Sequence, residues 1–190
     1  DRKGFFSAFH SFSIFRETVP NAYLYVHSPS INTIFSYNER IDTSDAQISK
    51  GQPLHYFKMM FNISDNDITI DDNIYDRATV FAMKKQADVC LHPSKVEGFG
   101  MNVVECQLAG TPVVTTAFGA MKDNTCLGIS VPPASVTFYL RGIVAEPDSY
   151  NIGKALNNIF VGNYFTNSTF CKKWIRREFS PKYVADKFDS

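Results

Sequence analysis

Two carboxylates bracket a glycine-containing run, Glu97-Gly98-Phe99-Gly100-Met101-Asn102-Val103-Val104-Glu105. Glycines between a strand and a helix let backbone approach a ligand closely, while the first helical amides and the positive end of the helix dipole face an anion. Gly98 and Gly100 sit where that geometry is needed. Glu97 falls in the loop and Glu105 about two turns on, so one carboxylate is aimed at the loop's ligand and the other lies alongside it. Carboxylates accept hydrogen bonds from hydroxyls, which makes a sugar and a ribose natural guests. Two carboxylates beside a pyrophosphate would otherwise repel it.

The surrounding pattern supplies the elements that must hold this run. Phe5, Phe6, Phe9, Phe12 and Phe15 recur at helical spacing up to Thr18, and Pro20-Asn21 turns the chain into a strand, Ala22 to His27. Residues 28–52 are polar and aperiodic, which predicts a surface loop or insertion. A short helix over Pro53 to Phe61, a strand from Asp67 to Ile70 and a helix capped by Asp76, with Ala78, Phe81 and Ala82 inward, come next. Val89 to Leu91 reads as a buried strand and Gly100 to Ala109 as a helix closed by Gly110, where a left-handed cap favours glycine. Pro112 to Thr115 is a further strand. A Pro-rich connection leads to a strand from Gly142 to Ala145, a helix from Tyr150 to Phe160 and two more helical stretches. This alternation predicts one α/β domain over residues 1–190, a Rossmann-like, doubly wound parallel sheet with helices on both faces.

With Ala87-Asp88-Val89-Cys90-Leu91-His92-Pro93-Ser94 ahead of it and Ala109-Gly110-Thr111-Pro112-Val113-Val114 behind it, the run resembles the C-terminal domain of retaining GT-B glycosyltransferases of group 1. Arg2-Lys3-Gly4 looks like that family's basic residue and glycine before the first helix, and Gly142 to Asp148 like its late strand. The resemblance implies a donor domain for a nucleoside diphosphate sugar. Glu97 would contact the transferred sugar, the segment Gly98, Phe99, Gly100, Met101 and Asn102 would line sugar and diphosphate, and Glu105 would hold the ribose hydroxyls. Lys3, assisted by Arg2, would bind the diphosphate and stabilise charge growing on the leaving group. No metal and no further cofactor is implied. The family's domain opens with a strand expected just ahead of Asp1, central in the doubly wound order, and its enzymes carry an N-terminal acceptor domain. Both would have to come from a larger protein. A non-catalytic nucleotide-sugar-binding module and a sugar-nucleotide epimerase of the same fold are the alternatives.

Other features carry less. Nineteen basic and nineteen acidic residues cancel, so no global field is available to hold a nucleic acid. His92, next to Pro93, reads more simply as a structural residue than as a catalyst. Asp71-Asp72-Asn73 reads as a turn, with contact to a nucleobase as the minor alternative and a metal cluster the weaker one. Lys172, Lys173, Arg176 and Arg177 around Trp174 and Ile175 form either a solvated basic face or a peripheral membrane contact. Cys90, Cys106, Cys126 and Cys171 lack both zinc spacing and scaffold density, which reads as free thiols in a cytoplasmic, reducing setting.

Overall fold

The computed structural model describes residues 2–29, 53–139, 142–164 and 168–180, together with 182, 183 and 186. Of the expected loop 28–52, all but Ser28 and Pro29 lies outside the described residues. The phenylalanine stripe forms α1 (Phe5–Thr18), with Phe9 and Phe12 buried and Phe6 at the surface. Then come β1 (Leu24–His27), α2 (Pro53–Met60), a 3-10 turn at Asp65–Asp67 and β2 (Ile68–Asp71). Strands β1 and β2 pair in parallel, with Leu24 opposite Ile68.

Helix α3 (Arg77–Gln86) starts where Asp76 accepts a hydrogen bond from the Thr79 amide, the expected cap. It leads to β3 (Cys90–His92), α4 (Met101–Ala109), β4 (Val113–Thr116), α5 (Ala120–Asn124) and β5 (Gly128–Val131). β3, β4 and β5 form a second parallel sheet. A hairpin of β6 (Ser135–Tyr139) and β7 (Gly142–Glu146) pairs antiparallel, and α6 (Ser149–Phe160) and α7 (Ser168–Glu178) follow.

Helices cover both faces of the second sheet because successive strand residues point to opposite sides. Val113 packs with Val103, Cys106 and Met121 beneath α4 and α5, whereas Val114 packs with Ile152, Ala155 and Leu156 of α6. α1 lies against α6 and ties the two sheets together, since Phe15 touches both the Phe9–Phe12–Ile68 cluster and the Val114–Ile152 cluster. The two helices approach closely at Gly153, where a Cβ would sit 2.8 Å from Ile14 Cγ2. Among the described residues no ladder joins β1 to β3. In the doubly wound order that interval belongs to the central strand.

Four expectations need correction. The connection after Thr116 contains α5, β5 and β6, because Pro132-Pro133 punctuates two strands; the alternating run Ser135-Val136-Thr137-Phe138 was the overlooked strand signal. β3 is half-buried rather than buried. α3 turns Ala78, Phe81 and Ala82 outward and Thr79, Val80, Met83 and Lys84 inward, because the neighbouring α4 offers Asn102 and Glu105, which Lys84 meets. The cysteines are not free: Cys90 is joined to Cys106 and Cys126 to Cys171. These bonds tie β3 to α4 and the segment between α5 and β5 to α7, so the cysteines do not indicate a reducing compartment.

The Cys126–Cys171 bond closes 45 residues, a loop for which chain entropy gives about 4 kcal/mol of stabilisation. We predict that C126S/C171S lowers the free energy of unfolding in urea by about 2–4 kcal/mol under non-reducing conditions. Dithiothreitol should bring the parent protein down and leave a variant lacking all four cysteines unchanged.

Candidate functional site

The loop ahead of α4 and the loop ahead of α1 meet. Gly4, the N-cap of α1, has φ 72°, and a Cβ there would lie 1.9 Å from the Pro93 carbonyl oxygen, so only glycine allows the approach. The Lys95 amide donates to the Arg2 carbonyl at 2.9 Å, and the Arg2 guanidinium donates to the Val96 carbonyl at 3.3 Å.

This docking surrounds the Glu97 carboxylate with donors. Lys3 Nζ lies 2.6 Å from Oε1 and Arg2 Nη1 3.0 Å from Oε2, while Ser94 Oγ donates to Oε1 at 3.2 Å. His92 Nε2 stands 3.6 Å from the same oxygen and 3.3 Å from Ser94 Oγ. The Glu97 side chain is 9% exposed. The facing His92 ring, followed by Lys3 and Arg2, holds its carboxyl far below the ordinary range, against the opposite push of burial. At neutral pH it is an anion enclosed by donors.

An open cleft of about 250 Å³ is lined by Lys3, His92, Glu97, Phe99, Gly100, Met101 and Asn102. Gly100 caps α4 with φ 76°, and the first intrahelical bonds run from the Val103 and Val104 amides to its carbonyl. The amides of Met101 and Asn102 precede them at the positive end of the helix. Gly110 closes the helix with φ 94°, as its position predicts.

Seven of the expected site residues therefore converge: Lys3, Glu97, Phe99, Gly100, Met101 and Asn102 on the cleft, and Arg2 behind Glu97. Gly98 is not among the lining residues, and a Cβ on it would meet nothing within 4 Å. Glu105 lies one step beyond, its carboxylate bonded to Lys84, which also donates to Asn102 Oδ1 at 3.1 Å. Arg77 stands 3.8 Å from the other Glu105 oxygen.

Sequence reasoning passed over Ser94 and Lys84 as working side chains. It also missed the buried Gln107, whose Nε2 donates to the Val103 and Asn124 carbonyls and whose Oε1 accepts from the Cys126 and Leu127 amides. Asn124 in turn donates to the Phe99 carbonyl at 2.6 Å, so this chain of bonds fixes the loop that rims the cleft. A glutamine four residues after Val103, on the apolar side of α4, was the available signal. Lys84 had none, because its role depends on how α3 packs.

The weaker candidates fall elsewhere. Asp71 accepts from Tyr25 on the neighbouring β1 and, as in a turn, from the Asn73 amide and side chain; these contacts lower its pKa from 3.8 to about 2. Among the described residues no group of three or more His, Cys, Asp or Glu is placed to hold a metal ion. In α7, Ile175 is buried and Trp174 half-buried against Phe179, leaving Lys173, Arg176 and Arg177 outward, the pattern of a solvated basic face. No helix among the described residues is long and apolar enough to cross a membrane.

The family described as Glycosyl transferases group 1 matches residues 72–133, which span Glu97 to Glu105. Sucrose-phosphate synthase from Thermosynechococcus elongatus superposes at TM-score 0.69 and 20% identity, over 99% of this chain and 41% of its own. The α,α-trehalose 6-phosphate synthase of Burkholderia multivorans gives 0.66 and 14%, over 98% and 38%. The pneumococcal O-GlcNAc transferase GtfA, solved with UDP and GlcNAc, gives 0.63 and 13%, over 99% and 32%. Comparison with curated protein sequences gives no match. The chain is a GT-B-type Rossmann-like half-domain that carries the group 1 glycosyltransferase pattern through residues 72–133. It spans about two fifths of the length of sucrose-phosphate synthase.

A carboxyl whose pKa is lowered on folding adds stability that is present above its unfolded value and lost as pH falls toward the folded one. For Glu97 the loss begins below its ordinary 4.5. We predict that E97Q destabilises the protein at pH 7 and that the gap between variant and parent narrows steadily between pH 5 and pH 3 in urea unfolding. A gap independent of pH would contradict the placement of Glu97 among cations.

Proposed function

We propose that the cleft binds a nucleoside diphosphate sugar and that this chain is the donor half of a retaining glycosyltransferase acting on a hydroxyl acceptor. The observation that carries the reading is the meeting of Lys3 and Glu97 at the open N-terminus of α4, inside one cleft. The diphosphate is suited to the Met101 and Asn102 amides and to Lys3, and the sugar hydroxyls to Glu97 and His92. Glu105 is suited to the ribose hydroxyls.

Transfer breaks the bond between the anomeric carbon and the diphosphate oxygen, and the electron pair leaves with the diphosphate. Lys3 and the helix end stabilise that growing charge, the task a metal ion performs elsewhere, so this mechanism needs none. The acceptor oxygen joins the anomeric carbon on the face the diphosphate leaves, and its proton is released toward the departing diphosphate. Donor binding requires Lys3 to share its ammonium between Glu97 and phosphate. Arg2 and His92 keep the carboxylate compensated when it does.

The acceptor side of the cleft belongs, in this reading, to a further domain of the complete protein, as the fraction of each neighbour's chain that is matched supports.

The test is a thermal-shift panel of nucleoside diphosphate sugars. A donor at a hundred times its Kd should stabilise the protein by about 2.7 kcal/mol, while the free sugars should do nothing. In the complete protein, K3A should lower kcat by about 10²–10³-fold. A panel without any shift sinks the reading, and donor consumption that yields an altered sugar without acceptor favours an epimerase.

A further inference from the structure

We infer that Lys84 is a positioning residue that sets Glu105 and Asn102 for recognition of a ribose diol. This rests on the nucleotide-sugar reading above and adds to it the residue that makes the nucleoside end of the cleft selective.

Lys84 projects from the inward face of α3, and its side chain is 13% exposed. Its carbonyl accepts a 2.6 Å hydrogen bond from Thr111 Oγ1, in the turn that leaves α4, so the residue is anchored at its backbone as well as at its tip. The ammonium bonds to Glu105 Oε2 and, at 3.1 Å, to Asn102 Oδ1. The pair is partly buried, and the cost of ordering a lysine side chain, up to about 2 kcal/mol, offsets much of what it contributes to stability. The consequence of the contact therefore lies in what it does to its two partners.

An ammonium can only donate. It must take the oxygen of Asn102, which leaves both amide hydrogens of that side chain for a ligand in the cleft that Asn102 lines. It occupies one of the roughly four acceptor positions of the Glu105 carboxylate and leaves Oε1 for hydroxyl donors. Among the described residues the other cation paired with Glu105 is Arg77, 3.8 Å from Oε1 and 92% exposed, at the solvent rim. Without Lys84, Glu105 pairs with Arg77 or turns to solvent, and the acceptor for two adjacent hydroxyls is no longer held in one place. Lys84 also offsets the charge that would set Glu105 against the neighbouring diphosphate.

The test compares UDP, ADP and GDP with their 2′,3′-dideoxy counterparts by calorimetry on the full protein. The parent should prefer the ribose form of its best nucleotide at least about tenfold, as expected for hydroxyls bonded to a carboxylate. K84M should reduce that preference to threefold or less while dideoxynucleotide affinity stays within about twofold, a pattern that lost folding cannot imitate. K84R, which keeps the cation, should recover part of the preference, and K84Q should behave as K84M. A preference unchanged in both K84M and K84Q, but abolished in E105A, overturns the role of Lys84 and leaves the nucleotide-sugar reading standing. A parent that binds the diphosphates with no preference for ribose overturns the inference alone. A parent that binds none of them overturns both.

Discussion

The Glu97 carboxylate is the point on which the site depends, because it joins parts of the chain more than ninety residues apart. Lys3 and Arg2 lie just ahead of α1, and Glu97 lies just ahead of α4; nothing in local structure brings those helix starts together. Gly4 against the Pro93 carbonyl provides the close approach, and the ion pairs provide the register. α1 then carries the constraint into the core, where Phe15 packs against the clusters of both sheets. A shift of α1 on α6 would move Lys3 relative to the N-terminus of α4, so packing remote from the cleft sets the geometry within it.

Charge balance answers the objection raised by two carboxylates near an anion. Glu97 is met by Lys3 and Arg2, and Glu105 by Lys84 and Arg77. Four cations for two anions leave a net positive rim in a protein whose overall charge is zero, and the amides at the start of α4 add to it. Local arrangement thus supplies the field that composition lacks. The same pairing holds the Glu97 carboxyl well below its ordinary range, as an anion able to accept from hydroxyls.

Much of this was legible in the sequence wherever the signal is local. The α1 stripe, the Asp76 cap, the Gly110 cap and the alternation of strands and helices as far as β4 are each set by neighbouring residues, and each appears within a residue or two of its expected bounds; beyond β4 the alternation gives way to three consecutive strands. The run from Glu97 to Glu105 marked the cleft because glycine, helix start and carboxylate are adjacent in sequence. What escaped depends on packing between elements: the inward face of α3, the Lys84 contact and the disulfides, since cysteine spacing alone does not reveal partners 16 and 45 residues apart. β6 escaped for a different reason, because two prolines beside it outweighed its alternation. Gln107 was visible as a polar residue on an apolar face, but its four partners come from residues the sequence does not bring near it.

The central claim, that the start of α4 and the segment carrying Lys3 form one anion-binding cleft, can be addressed by hydrogen–deuterium exchange with and without a saturating nucleoside diphosphate sugar. Slower exchange is expected in peptides covering residues 98–103 and 2–8 together, with no change in α7. Protection confined to α7 or to the β6–β7 hairpin, or no protection at either segment despite measured binding, would contradict it.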